Sequence, residues 1–245
     1  MASIVGAAAL VGLVLGLVIG VAVGAVILVA DLLTLGAAAG GAVVVATAVR
    51  NAQAVALKGI TVVPADPTDH ARLHNLTEGL CSTLGLSKPA LLVVDVPAAN
   101  AAALATTATD ASLVVTAGLL DVLDRVELEG VLAYHLRRIR DQEALVGTRA
   151  VPFASGLATR LPVLAPRVAP ALGTVDDVFL DDRAAVDVTR YPPGLVGALG
   201  KIRDRGADVP GANPLGAHLW LVPPAAGSLL ELPSIDDRIA ALREL

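Results

Sequence analysis

Residues 127–145, ELEGVLAYHLRRIRDQEAL, place Leu128, Val131, Leu132, His135, Leu136 and Ile139 at three-and-four spacing, the signature of one buried helical face. A continuous helix over 127–145 is expected. His135 falls on the core stripe with no ligand near it in sequence, which reads as a core histidine held by a hydrogen bond. Tyr134 and Arg138 are four residues apart and share a second face of the same helix. Arg137, Arg138 and Arg140 read as a solvated basic face, able to lean on anionic lipid headgroups, unless Arg138 is drawn to an acid across the fold.

Around this helix the pattern is mixed. Residues 67–84 read as a helix with Leu73, Leu76, Leu80 and Leu84 on one face, and 91–94 and 111–116 read as short strands. A short helix is expected over 118–123, and further helices over 193–202 and 234–245. The last is opened by Ser234, with Asp236 and Asp237 in its first turn. Residues 151–173 are apolar but broken by Arg160, Arg167 and four prolines, so a loop or short interfacial helix is expected there.

Upstream, residues 1–30 carry no charged side chain, and after Asp31 none appears until Arg50. About 20 apolar residues cross a bilayer core, so the run predicts two spans joined by a turn near Asp31: a transmembrane helical hairpin over 1–50, then a domain over 51–245. Gly12, Gly16, Gly20 and Gly24 make a ladder of missing side chains, continued at Gly36 and Gly40. Such a ladder permits close helix packing, within the hairpin or with another subunit. A signal peptide would begin with a basic stretch, and none precedes this run. Arg50, Lys58 and Arg72 follow the second span, so both termini and the domain are expected on the cytoplasmic side.

Composition agrees with lipid contact. Of 245 residues 55% are hydrophobic, and the mean hydropathy is +0.73. The net charge of −5 supplies no basic field for nucleic acid. The single cysteine, Cys81, rules out an internal disulfide and reads as a core filler. Any metal site must draw on His70, His74, His135 and His218; the His70/His74 pair is half a site at most, with no carboxylate set beside it. No G-x-S-x-G elbow or Gly-rich phosphate loop occurs, and Asp176, Asp177, Asp181 and Asp182 read as charges at the start of a helix.

Five stretches together resemble the HtpX-type membrane-bound zinc metalloproteases: DHARLHNLTEGLCSTLGLSKPALLVVDVPAANAAA (69–103), SLVVTAGLLDVLDRVELEGVLAYHLRRIRD (112–141), DRAAVDVTRYPPGLVGALGKI (182–202), AHLWLVPP (217–224) and SIDDRIAALREL (234–245). The resemblance implies an α+β, mainly helical fold: a two-span transmembrane hairpin, then a zincin-like domain with a small β-sheet, in a bacterial inner membrane. It also implies zinc, held by H-E-x-x-H on the helix after ELEGVLA. Here that window reads Tyr134, His135, Leu136, Arg137, Arg138. Both histidine ligands are replaced, by Tyr134 and Arg138, and the general base by His135; moving the register by one residue does not restore the motif. The third ligand, a glutamate four residues before an aspartate, maps to Val178, with the aspartate kept as Asp182. The family's substrate-binding edge, N-A-F, maps to Asn100, Ala101 and Ala102.

Zinc is the family's cofactor, but its ligands are absent, so no cofactor is expected. The expected function is that of a catalytically inactive membrane pseudoprotease, an accessory, scaffolding or assembly subunit. Its partners would be the lipid bilayer and other membrane subunits, or further copies of itself through the glycine ladder. The competing readings are a zinc endopeptidase with a non-standard site and a module that captures peptides through Asn100. Arg138 or the Tyr134 hydroxyl is expected to pair with Asp182 and so replace the metal's cross-link.

Overall fold

The structure is a computed structural model that describes residues 2–107, 109–160, 178–224 and 232–245. The chain divides into two compact units, Met1–Thr47 and Ala48–Leu245.

The first unit is a helix, α1, running from Ala2 to Arg50 without interruption. The turn expected at Asp31, and with it the two-span hairpin, is not present. No proline lies in this stretch, and one aspartate costs an α-helix only about 0.7 kcal/mol. Thr34 Oγ1 donates to the Asp31 carbonyl at 2.8 Å, a bond within the helix. Consequently Gly12, Gly16, Gly20, Gly24, Gly36 and Gly40 pack on no second arm: a Cβ added at any of them would meet no atom within 4 Å. From Gly12 to Arg50 the helix is long and apolar enough to cross a membrane.

The second unit is built on a four-stranded sheet in the order β1-β2-β4-β3: β1 (Val63–Pro64), β2 (Ala90–Val94), β3 (Ala101–Ala105) and β4 (Ala111–Thr116). β2 and β4 are parallel, and the other two pairings are antiparallel. Every residue of β3 and β4 is buried because both faces are covered. On one face Ala101, Ala103, Leu113 and Val115 meet Leu73, Leu76 and Leu80 of α3 (Ala71–Leu84) and Leu128, Leu132 and Leu136 of α5 (Arg125–Arg140). On the other, Ala102, Leu104 and Val114 meet Ala56 of α2 (Ala52–Ala56), Val151 of α6 (Glu143–Arg160) and Trp220.

A capping box starts α5. The Asp124 carboxylate accepts from the Val126 and Glu127 amides, while Glu127 Oε2 accepts from the Asp124 amide. The helix does not reach Leu145. It stops at Asp141, and Gln142 takes φ +64°, a left-handed conformation that lets the chain restart as α6. The loop or interfacial segment expected from residue 151 is helical as far as Arg160, with Pro152 inside α6; residues 161–173 lie outside the described residues.

Among the described residues the remaining helices are α4 (Ala117–Val122), α7 (Val178–Thr189), α8 (Pro192–Arg205) and α9 (Ile235–Leu242), with a 3-10 turn at Pro214–Leu219. α8 crosses α5 where two glycines meet: a Cβ on Gly194 would lie 2.9 Å from the Val126 carbonyl oxygen, and one on Gly130 would lie 3.0 Å from the Leu195 nitrogen. The close crossing lies in the N-terminal half of α5; its C-terminal half packs against α7, where the charged groups collect.

Candidate functional site

Tyr134, His135 and Arg138 lie on the buried side of α5, at 3%, 0% and 4% exposure, together with Val178, Asp181 and Asp182 of α7 at 8%, 3% and 1%. Arg137 and Arg138 of α5 meet Asp181 of α7 there, so what the two helices bring together is charge. Arg138 Nη1 donates to the His218 carbonyl at 3.2 Å, and its Nε sits 3.5 Å from Glu143 and 3.6 Å from Asp181. Arg137 makes ion pairs with Asp141 and Glu143, each at 3.0 Å, and with Asp181. These arginines are not a solvated basic face; of the three only Arg140 is exposed, beside Asp141.

Asp182 pairs with Arg238, and not with Arg138 as expected. Arg238 of α9 donates to both carboxylate oxygens, Nε at 2.8 Å and Nη2 at 2.7 Å, and its Nη1 donates to the Leu221 carbonyl at 2.7 Å. Arg138 goes instead to Asp181 and Glu143, because one turn of α7 sends two consecutive acids to two different arginines. The Tyr134 ring lies beside both cations, with the Arg138 and Arg238 guanidinium carbons 5.8 Å and 5.7 Å from its centroid. Burial pushes the Tyr134 hydroxyl up, and the two arginines pull against it. Burial also pushes the Asp182 carboxyl up, opposed by its bonds to Arg238.

Asp181 lies in the first turn of α7, as expected, and both it and Asp182 are buried ion-pair partners; Asp176 and Asp177 lie outside the described residues. Arg238 was hidden from sequence reading by its setting in an ordinary amphipathic helix. The signal was available: Ile235, Ile239 and Leu242 define the apolar stripe of α9, and Arg238 lies on it. A cation on a buried stripe demands an acid opposite.

His135 is a core histidine, as expected, but without the hydrogen bond. Neither ring nitrogen has a partner, although the Ala101 backbone is close enough to favour the charged form slightly. Burial, reinforced by Arg138 and Arg238, holds its pKa well below the usual imidazole value. The ring meets Tyr134 edge-on at 5.2 Å. His218 is also buried; its Nε2 lies 3.1 Å from the Gly147 carbonyl, and burial brings its pKa down to about 4.

These residues do not fit zinc. Arg138 and Val178 have no lone pair to give, the Tyr134 phenol is held in its neutral form, and the two α7 carboxylates are engaged by guanidiniums. Among the described residues no three His, Cys, Asp or Glu side chains gather as a ligand set. His70 and His74 point to different tasks, His70 lining a cavity of about 290 Å³ with Asp69 and Asp121, and His74 bonding the Ala65 carbonyl at 3.0 Å. Cys81 is buried, and burial raises its thiol pKa.

Asn100, the substrate-edge candidate, is 0% exposed. Its Nδ2 donates to the Ala207 and Val222 carbonyls at 2.8 and 2.7 Å, and its Oδ1 accepts from the Ala101 and Val222 amides at 2.9 and 3.3 Å. The side chain is committed to holding three chain segments together and is not presented to a peptide.

No protein-family model matches the chain. Curated relatives do. The chain is 31% identical over 232 residues to a protein named Protease HtpX homolog from Dictyoglomus thermophilum, covering 80% of this chain and 76% of that one. It is 30% identical over 216 residues to the protein of the same name from Dictyoglomus turgidum, covering 73% and 71%. The Tropheryma whipplei protein of that name is 29% identical over 213 residues, covering 72% and 73%.

Proposed function

The chain belongs to the HtpX protease family, and from that premise we propose a membrane-held member that acts by contact, as an accessory or scaffolding subunit of a membrane complex, without hydrolysing peptides. The observation that carries this reading is the buried Arg138. A guanidinium stands on the helix face where a second metal ligand is expected, hydrogen-bonded to the His218 carbonyl and at ion-pair distance, 3.5 and 3.6 Å, from carboxylates on α6 and α7. A fixed positive charge there repels a divalent cation and supplies the electrostatic cross-link between helices that a metal would otherwise make. Arg238 and Asp182 add a second link, from α9 to α7.

Membrane attachment is supported by the apolar length of α1. Arg50, Lys58 and Arg72 follow it, which supports a cytoplasmic position for the domain at a bacterial inner membrane. Among the described residues, a Cβ added at Gly12, Gly16, Gly20, Gly24, Gly36 or Gly40 would meet no atom within 4 Å, which supports packing of that face on another membrane helix or a second copy.

Incubation of the detergent-purified protein with casein and with an unfolded membrane protein tests the reading. No cleavage is expected, with or without added zinc, and mild-detergent purification should recover a stoichiometric partner or an oligomer. Cleavage that a chelator abolishes would refute it.

A further inference from the structure

A helix on the surface of a solvated domain keeps its apolar side chains inward and its polar ones outward, and α6 departs from this. Its inward face is filled by Ala144, Gly147, Thr148, Val151 and Ala154. Val146, Arg149, Phe153, Leu157 and Arg160, three and four residues apart, share the opposite face. Val146 is 47% and Phe153 40% exposed, Leu157 is half-buried, and Arg160 is exposed. No acid stands among them: the single carboxylate of the helix, Glu143, is paired with Arg137. Exposed apolar side chains interleaved with arginines and free of carboxylates are the pattern of a helix that lies in a lipid interface.

The chain enters the domain beside this helix. The apolar run of α1 ends at Arg50, and Ala48–Arg50 already belong to the compact unit that contains α6. α2 begins two residues later, and its Ala56 packs in one cluster with Val151 of α6, where helix axes lie about 8–10 Å apart. The turn between β3 and β4 is held from both helices: Gln53 Nε2 donates to the Asp110 carbonyl at 3.2 Å, and Arg149 Nη2 donates to the Thr106 carbonyl at 2.6 Å. We propose that the outer face of α6 lies in the bilayer interface, with Phe153 and Leu157 against the acyl chains and Arg149 and Arg160 toward anionic headgroups, as a peripheral attachment beside the α1 span. The inference rests on the reading of α1 as a membrane span and is independent of whether the protein hydrolyses peptides.

The test places the full chain in vesicles of phosphatidylethanolamine and phosphatidylglycerol that carry a nitroxide quencher on the acyl chain. A fluorophore is attached through Val146→Cys on α6 or, as the control, through Ser82→Cys at an exposed position of α3, which covers the opposite face of the sheet; Cys81 is buried and does not compete for the label. The Val146→Cys label should be quenched at least about threefold more than the control, and Phe153→Asp should bring it down to the control level. Retention of the protein in the vesicles through alkaline carbonate reads the anchoring by α1 separately. Equal quenching at the two positions, in protein that carbonate does not remove, would overturn the inference alone, and cross-linking between copies through Val146→Cys would then assign the face to a second copy. Protein that carbonate removes would overturn the reading of α1 as a span, and the inference with it.

Discussion

The Asp182 carboxylate and the Arg238 guanidinium meet through two parallel hydrogen bonds, at 2.7 and 2.8 Å, with 2% and 3% of their side chains exposed. This fork geometry is the strongest form of the arginine–carboxylate pair. It fastens the C-terminal helix to α7, one turn from Val178. Deleting one charge strands the other in the interior, a loss of about 3–5 kcal/mol. Arg238→Met and Asp182→Leu should each lower the thermal midpoint sharply, while the double variant recovers most of the loss. A double-mutant cycle by thermal unfolding checks this, and additive losses would show that the two side chains do not act as a pair.

His135 contributes mainly shape, since neither ring nitrogen makes a well-formed hydrogen bond and the Ala101 backbone offers only a weak polar contact. Replacing it with leucine, close in volume, removes two desolvated polar atoms. Stability should stay level or rise by about 1–2 kcal/mol. His135→Ala should instead lose about 2–4 kcal/mol to the cavity. Denaturant midpoints of the two variants separate a packing role from a polar one.

Stability should fall on mild acidification. His218 has a pKa of about 4 in the folded protein against 6.5 for the free side chain, so between those values the unfolded chain binds a proton that the folded one refuses. The contribution is fully present above pH 6.5 and is lost as pH falls through the folded value, about 3 kcal/mol in all. His135, held well below its usual value by burial, acts in the same direction. Asp182 acts in the opposite direction: its raised pKa favours the folded state below about pH 3.8, and that gain is lost as pH rises through the folded value. Unfolding midpoints across pH 4–7 should slope downward toward acid, and His218→Gln should reduce the slope by about one proton.

Much of this was legible in the residues. Strands β2 and β4 were visible from their Val and Leu runs, and α5 from its stripe. β3 was implied only by the family resemblance at Asn100–Ala102, because Ala101–Ala105 has no β-branched residue and no alternation; pairing with β4 and burial on both faces make it a strand. The halt of α5 at Asp141 was missed because nothing in Gln142 announces a left-handed residue. Within the site, the loss of metal ligands could be read directly, but the distribution of charges could not. Asp181 and Asp182 are adjacent, and only the geometry of α7 decides which arginine each one meets.

On the proposed reading, charge pairs stand where the family's zinc would be. The zinc content of the detergent-purified full-length protein, measured by elemental mass spectrometry alongside His135→Ala, tests it most directly. Less than about a tenth of an equivalent in both proteins is the predicted result. Close to one equivalent in the native protein, lost in the variant, would contradict it and make His135 a metal ligand.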